Sequence, residues 1–397
     1  TTEIYTLSLH DALPIYRLAL GRGRAERMDT HSMATGKDGV ATDWLLYGAY
    51  GYTGELIARE AVRRGLRPIL AGRNSTRVEA LATELGLPWR VFSLEEPAAV
   101  VYDAAVNHNL AGVLAVLNCA GPFERTARPL ADGCLERGVH YLDITGEIAV
   151  FETLAQRDAD ARSRGVMLLP GIGFDVVPSD CLAARLKARL PTASQLTLVI
   201  DPLRLASHGT ATTMVENLSR GGMVRRDGLL TPVPAAWRIR RFDLGQKKVV
   251  RAATIPWGDV ATAYYSTGIP NIEVYFALPL LARLALVGTR LLGPVLGSRP
   301  AQGLLKRWVQ AQPPGPNEEQ RRRGSSLLWA KVRDPAGRRA SARLQAPDGY
   351  TFTVQAALAA LEHVLAGDVH IGFQTPSLAY GPDFTLEIPG VTISDLN

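Results

Sequence analysis

Three glycines, Gly48, Gly51 and Gly54, stand at intervals of three in the stretch LLYGAYGYTGELIAREAVRRG (45–65). Glycines so placed, between an apolar strand and a helix, let backbone N–H groups at a helix N-terminus approach a pyrophosphate. The same glycines would also serve an ordinary strand-to-helix turn that needs unusual dihedrals. The spacing GxxGxxG departs from the commoner GxGxxG, so the surroundings must decide. Arg73 and Asn74 follow a second apolar run, 68–71, and Arg73 lies 25 residues after Gly48 (73 − 48). That is close to the distance of about 20 at which a dinucleotide fold meets the adenosine ribose. An acidic residue there suits the 2′-hydroxyl of NAD, and an arginine suits the 2′-phosphate of NADP. No Asp or Glu occurs between Glu60 and Glu79. The reading is NADP, against the alternative of a solvated arginine at a strand end. A third cluster, Asn118 to Pro122 in NCAGPF, ends another apolar run. Candidate proton donors are Tyr141, Asp143, Glu147, Asp175 and Asp180, each of which could instead cap a helix or turn.

These residues need a scaffold, and the apolar runs supply one. Strands are expected at 44–47, 68–71, 89–92, 114–119, 139–145 and 166–169, with helical patterns between them, such as 127–137 and 151–164. Strands alternating with helices imply right-handed βαβ units and a parallel sheet. Ligands of such sheets sit off the carboxyl ends of the strands. That places Gly48–Gly54, Arg73, Asn118–Pro122 and Thr145–Glu147 along one crevice.

The 397 residues suggest two domains. The expected boundaries are a disordered or non-native extension at 1–42, a Rossmann-type domain at 43–175, a mixed α/β domain at 176–350, and a C-terminal helix and tail at 351–397 packing back on the first domain. The opening TTEIYTLSLHDALPI lacks the basic start and long apolar core of a signal peptide. After 169 a loop rich in Pro, Gly and Asp leads to a helix near Ser179. Strands are expected at 194–201 and 248–255, a helical stretch in 208–222, a surface loop at 311–324, a hairpin from 325, and a helix through Val354–Val364 that stops at Gly367. Three cysteines without a CxxC fit a reducing cytosol, and the seven histidines show no ligand spacing.

The net charge of +6 is concentrated: residues 283–323 hold eight Lys/Arg and two Glu. That region overlaps the apolar segment 274–297, which reads as an amphipathic helix. Eleven Leu, Val or Phe residues between 276 and 296 favour insertion by roughly 3–7 kcal/mol. Two central arginines oppose it by roughly 5–7 kcal/mol. It should not span a membrane; a core or interface helix, or one touching lipid, fits.

GAYGYTG, AGRN, NCAGPF, YLDITGE, PGIGFDVVPSD and GFQTPSLAYG together resemble the saccharopine dehydrogenase-like oxidoreductases, and the branch of trans-acting enoyl reductases in particular. The resemblance covers roughly residues 43 to 390. It implies a doubly wound parallel sheet of the Rossmann type holding NADP, with a second mixed α/β domain covering the nicotinamide. By that resemblance Gly48, Tyr50, Gly51, Tyr52, Thr53 and Gly54 bind the pyrophosphate. Arg73, with Asn74 beside it, meets the 2′-phosphate, and Asn118, Ala120, Gly121 and Pro122 lie near the nicotinamide ribose. Amino-acid-handling members grip substrate carboxylates with paired basic residues, and no such pair is placed here. The implied activity is NADPH-dependent reduction of an acyl or enoyl substrate, free or on an acyl carrier protein, with no nucleic-acid partner. A non-catalytic NADP-binding protein attached to lipid through 274–310 is the alternative. The expected location is cytoplasmic, with peripheral contact at the inner membrane face. Arg283, Arg290, Lys306 and Arg307 are expected to flank the substrate entrance, with the apolar helix lining a tunnel to the nicotinamide.

Overall fold

The computed structural model describes residues 43–94, 106–202, 221–313 and 315–396, together with Thr212 and Val215. The extension 1–42 and most of the helical stretch expected in 208–222 lie outside the described residues.

Six short strands alternate with helices through the first part of the chain: β1 (Asp43–Tyr47), β2 (Ile69–Gly72), β3 (Trp89–Val91), β4 (Val113–Asn118), β5 (His140–Asp143) and β6 (Met167–Leu169). Each lies within a residue or two of the run that predicts it, because a strand covered on both faces is a near-continuous apolar stretch. Leu45, Leu46, Leu70, Val116, Leu117, Leu142 and Leu168 are fully buried. All pairings are parallel, and the order is β15-β6-β5-β4-β1-β2-β3. The seventh strand, β15, is only Gly372–Phe373, returned from near the C-terminus. The fold is α/β, with a Rossmann-type parallel sheet and a second mixed sheet. The strand order reverses between β1 and β4, and the crevice outside their carboxyl ends is the binding position of this architecture.

The second sheet has nine strands, β7 (Gln195–Pro202), β8 (Gly222–Arg226), β9 (Leu229–Val233), β10 (Ile239–Asp243), β11 (Val249–Thr254), β12 (Asn271–Ala277), β13 (Ser325–Arg333), β14 (Arg339–Pro347) and β16 (Thr392–Leu396). β7 and β12 run parallel; the other pairs are antiparallel. The hairpin expected from 325 is β13–β14. Helices Val177–Arg189 and Gly349–Leu365 lie between the two sheets, and one apolar core runs from Leu46 and Leu117 through Leu182, Leu186, Phe352 and Leu361 to Leu198 and Leu344. The tail divides its packing, with β15 joining the first sheet and β16 the second.

Two expectations change. The apolar segment 274–297 is not one helix: its first residues belong to β12, paired with β7 and β11, and the helix is Leu280–Leu296. A period-free apolar run cannot by itself tell a buried strand from a helix. The charged loop 311–324 contains a helix, Glu318–Arg323, whose N-cap Asn317 accepts from Gln320 N at 2.9 Å while Gln320 Oε1 accepts from Asn317 N at 2.9 Å. That reciprocal pair is a capping box.

Candidate functional site

β1 ends at Tyr47, and the chain must turn at once into helix Tyr52–Arg63. Gly48 makes the turn with φ +79°, a conformation that side chains resist. Its N–H and that of Ala49 both donate to Ala71 O, at 2.8 and 3.1 Å, tying the turn to the end of β2. A methyl group at Gly48 would lie 2.8 Å from Ala120 N, so glycine also lets the β1 and β4 loops touch. A methyl at Gly54 would lie 2.3 Å from Gly48 O; only glycine lets the helix pack onto its own entry turn. Between them Gly51 is the helix N-cap and supplies no side-chain bond to the first turn. The N-terminal amides of the helix therefore have no N-cap side chain bonded to them, at the positive end of the helix dipole. A helix N-terminus of this kind suits an anion.

Tyr50 and Tyr52 do different work. The Tyr50 ring lies against Gly72 at the end of β2, where a methyl would sit 2.5 Å from its Cε1. The Arg77 guanidinium lies 4.7 Å from the Tyr50 ring centroid, and its Nη2 donates to Tyr50 O at 3.1 Å. Arg73 is exposed at the carboxyl end of the same strand. The end of β2 thus carries two guanidinium groups, and Arg77 is one that sequence reasoning missed. Its signal was its position one turn into the helix Ser75–Leu85 that follows Arg73. Asn74 is placed as that helix's N-cap, accepting from Arg77 N at 3.0 Å.

Tyr52 reaches across to the other domain. Its hydroxyl donates to Pro316 O, Arg321 Nη1 donates to Tyr52 Oη and to Pro316 O at 2.9 Å each, and Tyr350 packs edge-on with ring centroids 5.0 Å apart. Gly315 is pressed against the same ring, with room for no Cβ. The segment 315–323 is thus latched to helix Tyr52–Arg63, and burial raises the Tyr52 phenol.

The β4 loop is held internally. Asn118 is buried; its Nδ2 donates to Thr126 Oγ1 and Tyr141 Oη, both at 3.2 Å, and its Oδ1 accepts from Ala120 N at 3.0 Å. Thr126 Oγ1 donates to Ala120 O at 2.6 Å. The Gly121–Pro122 bond is cis, and Pro122 is the N-cap of helix Phe123–Arg137. Asn118 shapes this loop through these side-chain bonds.

Four of the five proton-donor candidates are engaged in structure. Tyr141 donates to Asp143 Oδ2 at 2.8 Å. Asp143 also accepts from Thr145 N and Gly171 N, both at 2.9 Å, and burial pushes its carboxyl up to about 7 against the pull of those bonds. Glu147 accepts from Phe123 N at 3.0 Å and Glu124 N at 2.7 Å, capping their helix. Asp180 accepts from Ser266 Oγ at 2.6 Å and Ser377 N at 2.9 Å. Asp175 differs: its side chain is only partly buried, against Gly146 at the carboxyl ends of β5 and β6. Burial first, and the nearby Glu147 charge second, raise it to about 6. From the second domain, Trp257 Nε1 donates to Asp175 O at 2.7 Å, and Gly258 fits tightly against Gly146 O and Phe151. Asp259, which the sequence reading did not single out, is fully buried beyond this point, with its pKa pushed well up by burial.

Two of the four basic residues expected around an entrance donate to backbone carbonyls. Arg290 donates to Ala235 O and Ala236 O, both at 2.7 Å, and Arg283 donates to Arg251 O at 3.3 Å. These two arginines tie helix Leu280–Leu296 to strand β11 and to the Ala235–Ala236 turn of the second sheet.

Residues 44–169 match the model of the saccharopine dehydrogenase NADP binding domain. A Mycobacterium tuberculosis relative, provisionally named a trans-acting enoyl reductase, is 32% identical over 190 residues, which cover 45% of this chain and 44% of the relative. An Arabidopsis thaliana relative named as a saccharopine dehydrogenase-like oxidoreductase is 30% identical over 154 residues, covering 35% of this chain and 33% of the relative. The chain matches less than half the length of these curated relatives. The solved structure of apo saccharopine dehydrogenase (L-Glu forming) from Saccharomyces cerevisiae superposes with a TM-score of 0.58 at 10% identity, covering 89% of this chain and all of that one, a likeness of fold. The chain thus carries a saccharopine dehydrogenase NADP binding domain at residues 44–169, within a fold like that of saccharopine dehydrogenase.

Proposed function

We propose that this protein is an NADPH-dependent reductase of an enoyl or acyl group. One observation supports the redox reading: residues 44–169 match an NADP-binding domain, and Asp175, a partly exposed carboxyl just beyond the carboxyl end of its strand β6, has its pKa raised to about 6. The names of the mycobacterial relatives supply the substrate class. NADPH, when bound, supplies the hydride. The chain's own residues then have three tasks. The N-terminal amides at Gly51–Gly54 hold the pyrophosphate. Arg73 and Arg77 hold the 2′-phosphate. For an enoyl thioester, hydride addition at the β-carbon leaves negative charge on the α-carbon and thioester oxygen, and Asp175 delivers the proton that completes the saturated product. Water from the crevice mouth then reprotonates the carboxylate.

Loss of NADPH absorbance with trans-2-enoyl thioesters of graded chain length tests this, with the saturated thioester identified as product. No turnover with any enoyl or ketoacyl thioester, despite tight NADPH binding, would favour the second reading: a non-catalytic NADP-binding protein held at a lipid surface. The exposed leucines described below speak for that alternative. An acyl carrier protein as the bearer of the substrate is also part of the proposal. It is checked by comparing carrier-bound and free thioesters.

Cofactor selectivity gives a separate expectation. A charge-assisted contact to a phosphate is worth about 1.5–3 kcal/mol, roughly ten- to hundred-fold in affinity. Arg73→Ala should weaken NADPH binding by that factor while leaving NADH binding as it was, and Arg77→Ala should do the same to a smaller extent. Titration of both cofactors by fluorescence decides it; equal NADPH affinity in wild type and Arg73→Ala would remove Arg73 from the phosphate site.

A further inference from the structure

Among the described side chains of helix Leu280–Leu296, Leu280, Leu281, Leu284, Ala285 and Val295 are exposed on one arc, and the exposed Arg290 lies off it. Leu281 is 80% exposed and Val295 62%. The next helix, Arg299–Gln310, packs beside it and presents a face that passes from Arg299 and Arg307 to Leu304 and Trp308. Leu304 is 70% exposed and Trp308 63%. Large apolar side chains so exposed and so grouped mark an interaction surface, since scattered ones would not fall on single helical arcs. The charge pattern identifies the partner. Residues 274–317 contain five Lys/Arg and no Asp or Glu. Two of the five, Arg283 and Arg290, hold the first helix to the protein through backbone carbonyls. Arg299 and Arg307 remain at the exposed edge of the second. No helix among the described residues is long and apolar enough to cross a membrane.

Leucines and a tryptophan on one side, arginines at the edge and no acid anywhere are what a helix lying in an anionic lipid interface requires. We propose that these two helices form a peripheral binding surface for anionic lipid, with Leu280, Leu281, Leu284, Leu304 and Trp308 entering the headgroup–acyl boundary and Arg299 and Arg307 meeting the lipid charges. The proposal gives the chemistry of the lipid contact named in the preceding reading and does not depend on turnover. NADPH binding measured on the same preparations separates a failure of one from a failure of the other.

The test is co-sedimentation of the full chain with vesicles of phosphatidylcholine alone or mixed with phosphatidylglycerol, at low and physiological salt. Wild type should bind the mixed vesicles and scarcely the neutral ones. Arg299→Gln with Arg307→Gln should weaken partitioning about 25-fold, at about five-fold for each charge. Leu281→Glu with Trp308→Glu should abolish it. Both double variants should keep the wild-type melting temperature and NADPH affinity, which shows that they fold. Three results would overturn the proposal: no binding of wild type to anionic vesicles, binding that neither double variant weakens, or a wild-type dimer that Leu281→Glu with Trp308→Glu converts to monomer without vesicle binding. The last would make this face a contact between two copies. Binding to an acidic carrier protein but to no vesicle is a case of the first.

Discussion

Gly54→Ala is expected to cost NADPH affinity at least about 100-fold and to lower the melting temperature even without cofactor. The added methyl would lie 2.3 Å from Gly48 O and 3.0 Å from Ala49 Cα, both backbone atoms. No rotamer relieves a clash with backbone, so either the helix Tyr52–Arg63 lifts off its entry turn or the turn opens. Overpacking of this kind costs about 1–3 kcal/mol, and displacement of the amides by a fraction of an ångström removes the phosphate contacts as well. Two controls bracket the effect. At Gly51 a methyl would lie 3.2 Å from Gly48 O, a contact that a small shift relieves, so Gly51→Ala should be far milder in stability. At Gly65, after the same helix, φ is +79° but nothing lies within 4 Å, so Gly65→Ala should cost only about 1 kcal/mol of backbone strain and leave NADPH binding intact. Differential scanning with and without NADPH measures all three. Wild-type binding and melting by Gly54→Ala would mean that the third glycine does not set the helix position.

The same contrast shows what is legible in a sequence. The three glycines and the strand before them are local chemistry: a turn, a cap and a close approach, each within seven residues, so their pattern announces their structure. The parallel sheet is legible for a similar reason, because every strand buried on two faces becomes an apolar run of four to six residues. Distance in the chain defeats the rest. Nothing near Pro316 or Arg321 says that they will meet Tyr52, 264 and 269 residues away. The capping box at Asn317 and Gln320 is a local signal, yet the prolines at 313, 314 and 316 make the stretch read as loop. Strand β12 was hidden because Val274–Ala277 continue without a break into the leucines of the next helix. The arginines of that helix looked available because their partners are carbonyls, which leave no mark on composition. Among the five acids, sequence offered no way to see which had donors waiting. Those donors are backbone amides and serine hydroxyls, supplied for Glu147 by residues 123 and 124, and for Asp180 by residues 266 and 377.

Asp175→Asn is the substitution on which the proposed chemistry turns, and it makes two independent predictions. The first is kinetic. A positioned proton donor contributes about 10²–10⁴ in rate, so kcat with a competent enoyl thioester should fall by that factor while NADPH affinity stays unchanged. Asp175 donates only when protonated, and its pKa is raised to about 6 by burial and by Glu147. The wild-type rate should therefore decline as pH rises through about 6, and that limb should be missing from the variant. Asp180→Asn gives the contrast: Asp180 binds Ser266 and Ser377 across three elements, so its loss should lower the melting temperature and leave the pH limb in place. The second prediction concerns stability. A carboxyl whose pKa is higher folded than unfolded binds protons more tightly in the native state. Its contribution is therefore fully present below the unfolded pKa and is lost as pH rises through the folded value, near 6. Asparagine carries no charge to bury. The melting temperature of Asp175→Asn relative to wild type should thus climb between about pH 4 and about pH 6 and level off above that. If the stability difference follows this course but kcat and its pH limb are untouched, Asp175 is an acid without a role in proton transfer, and the proton comes from water.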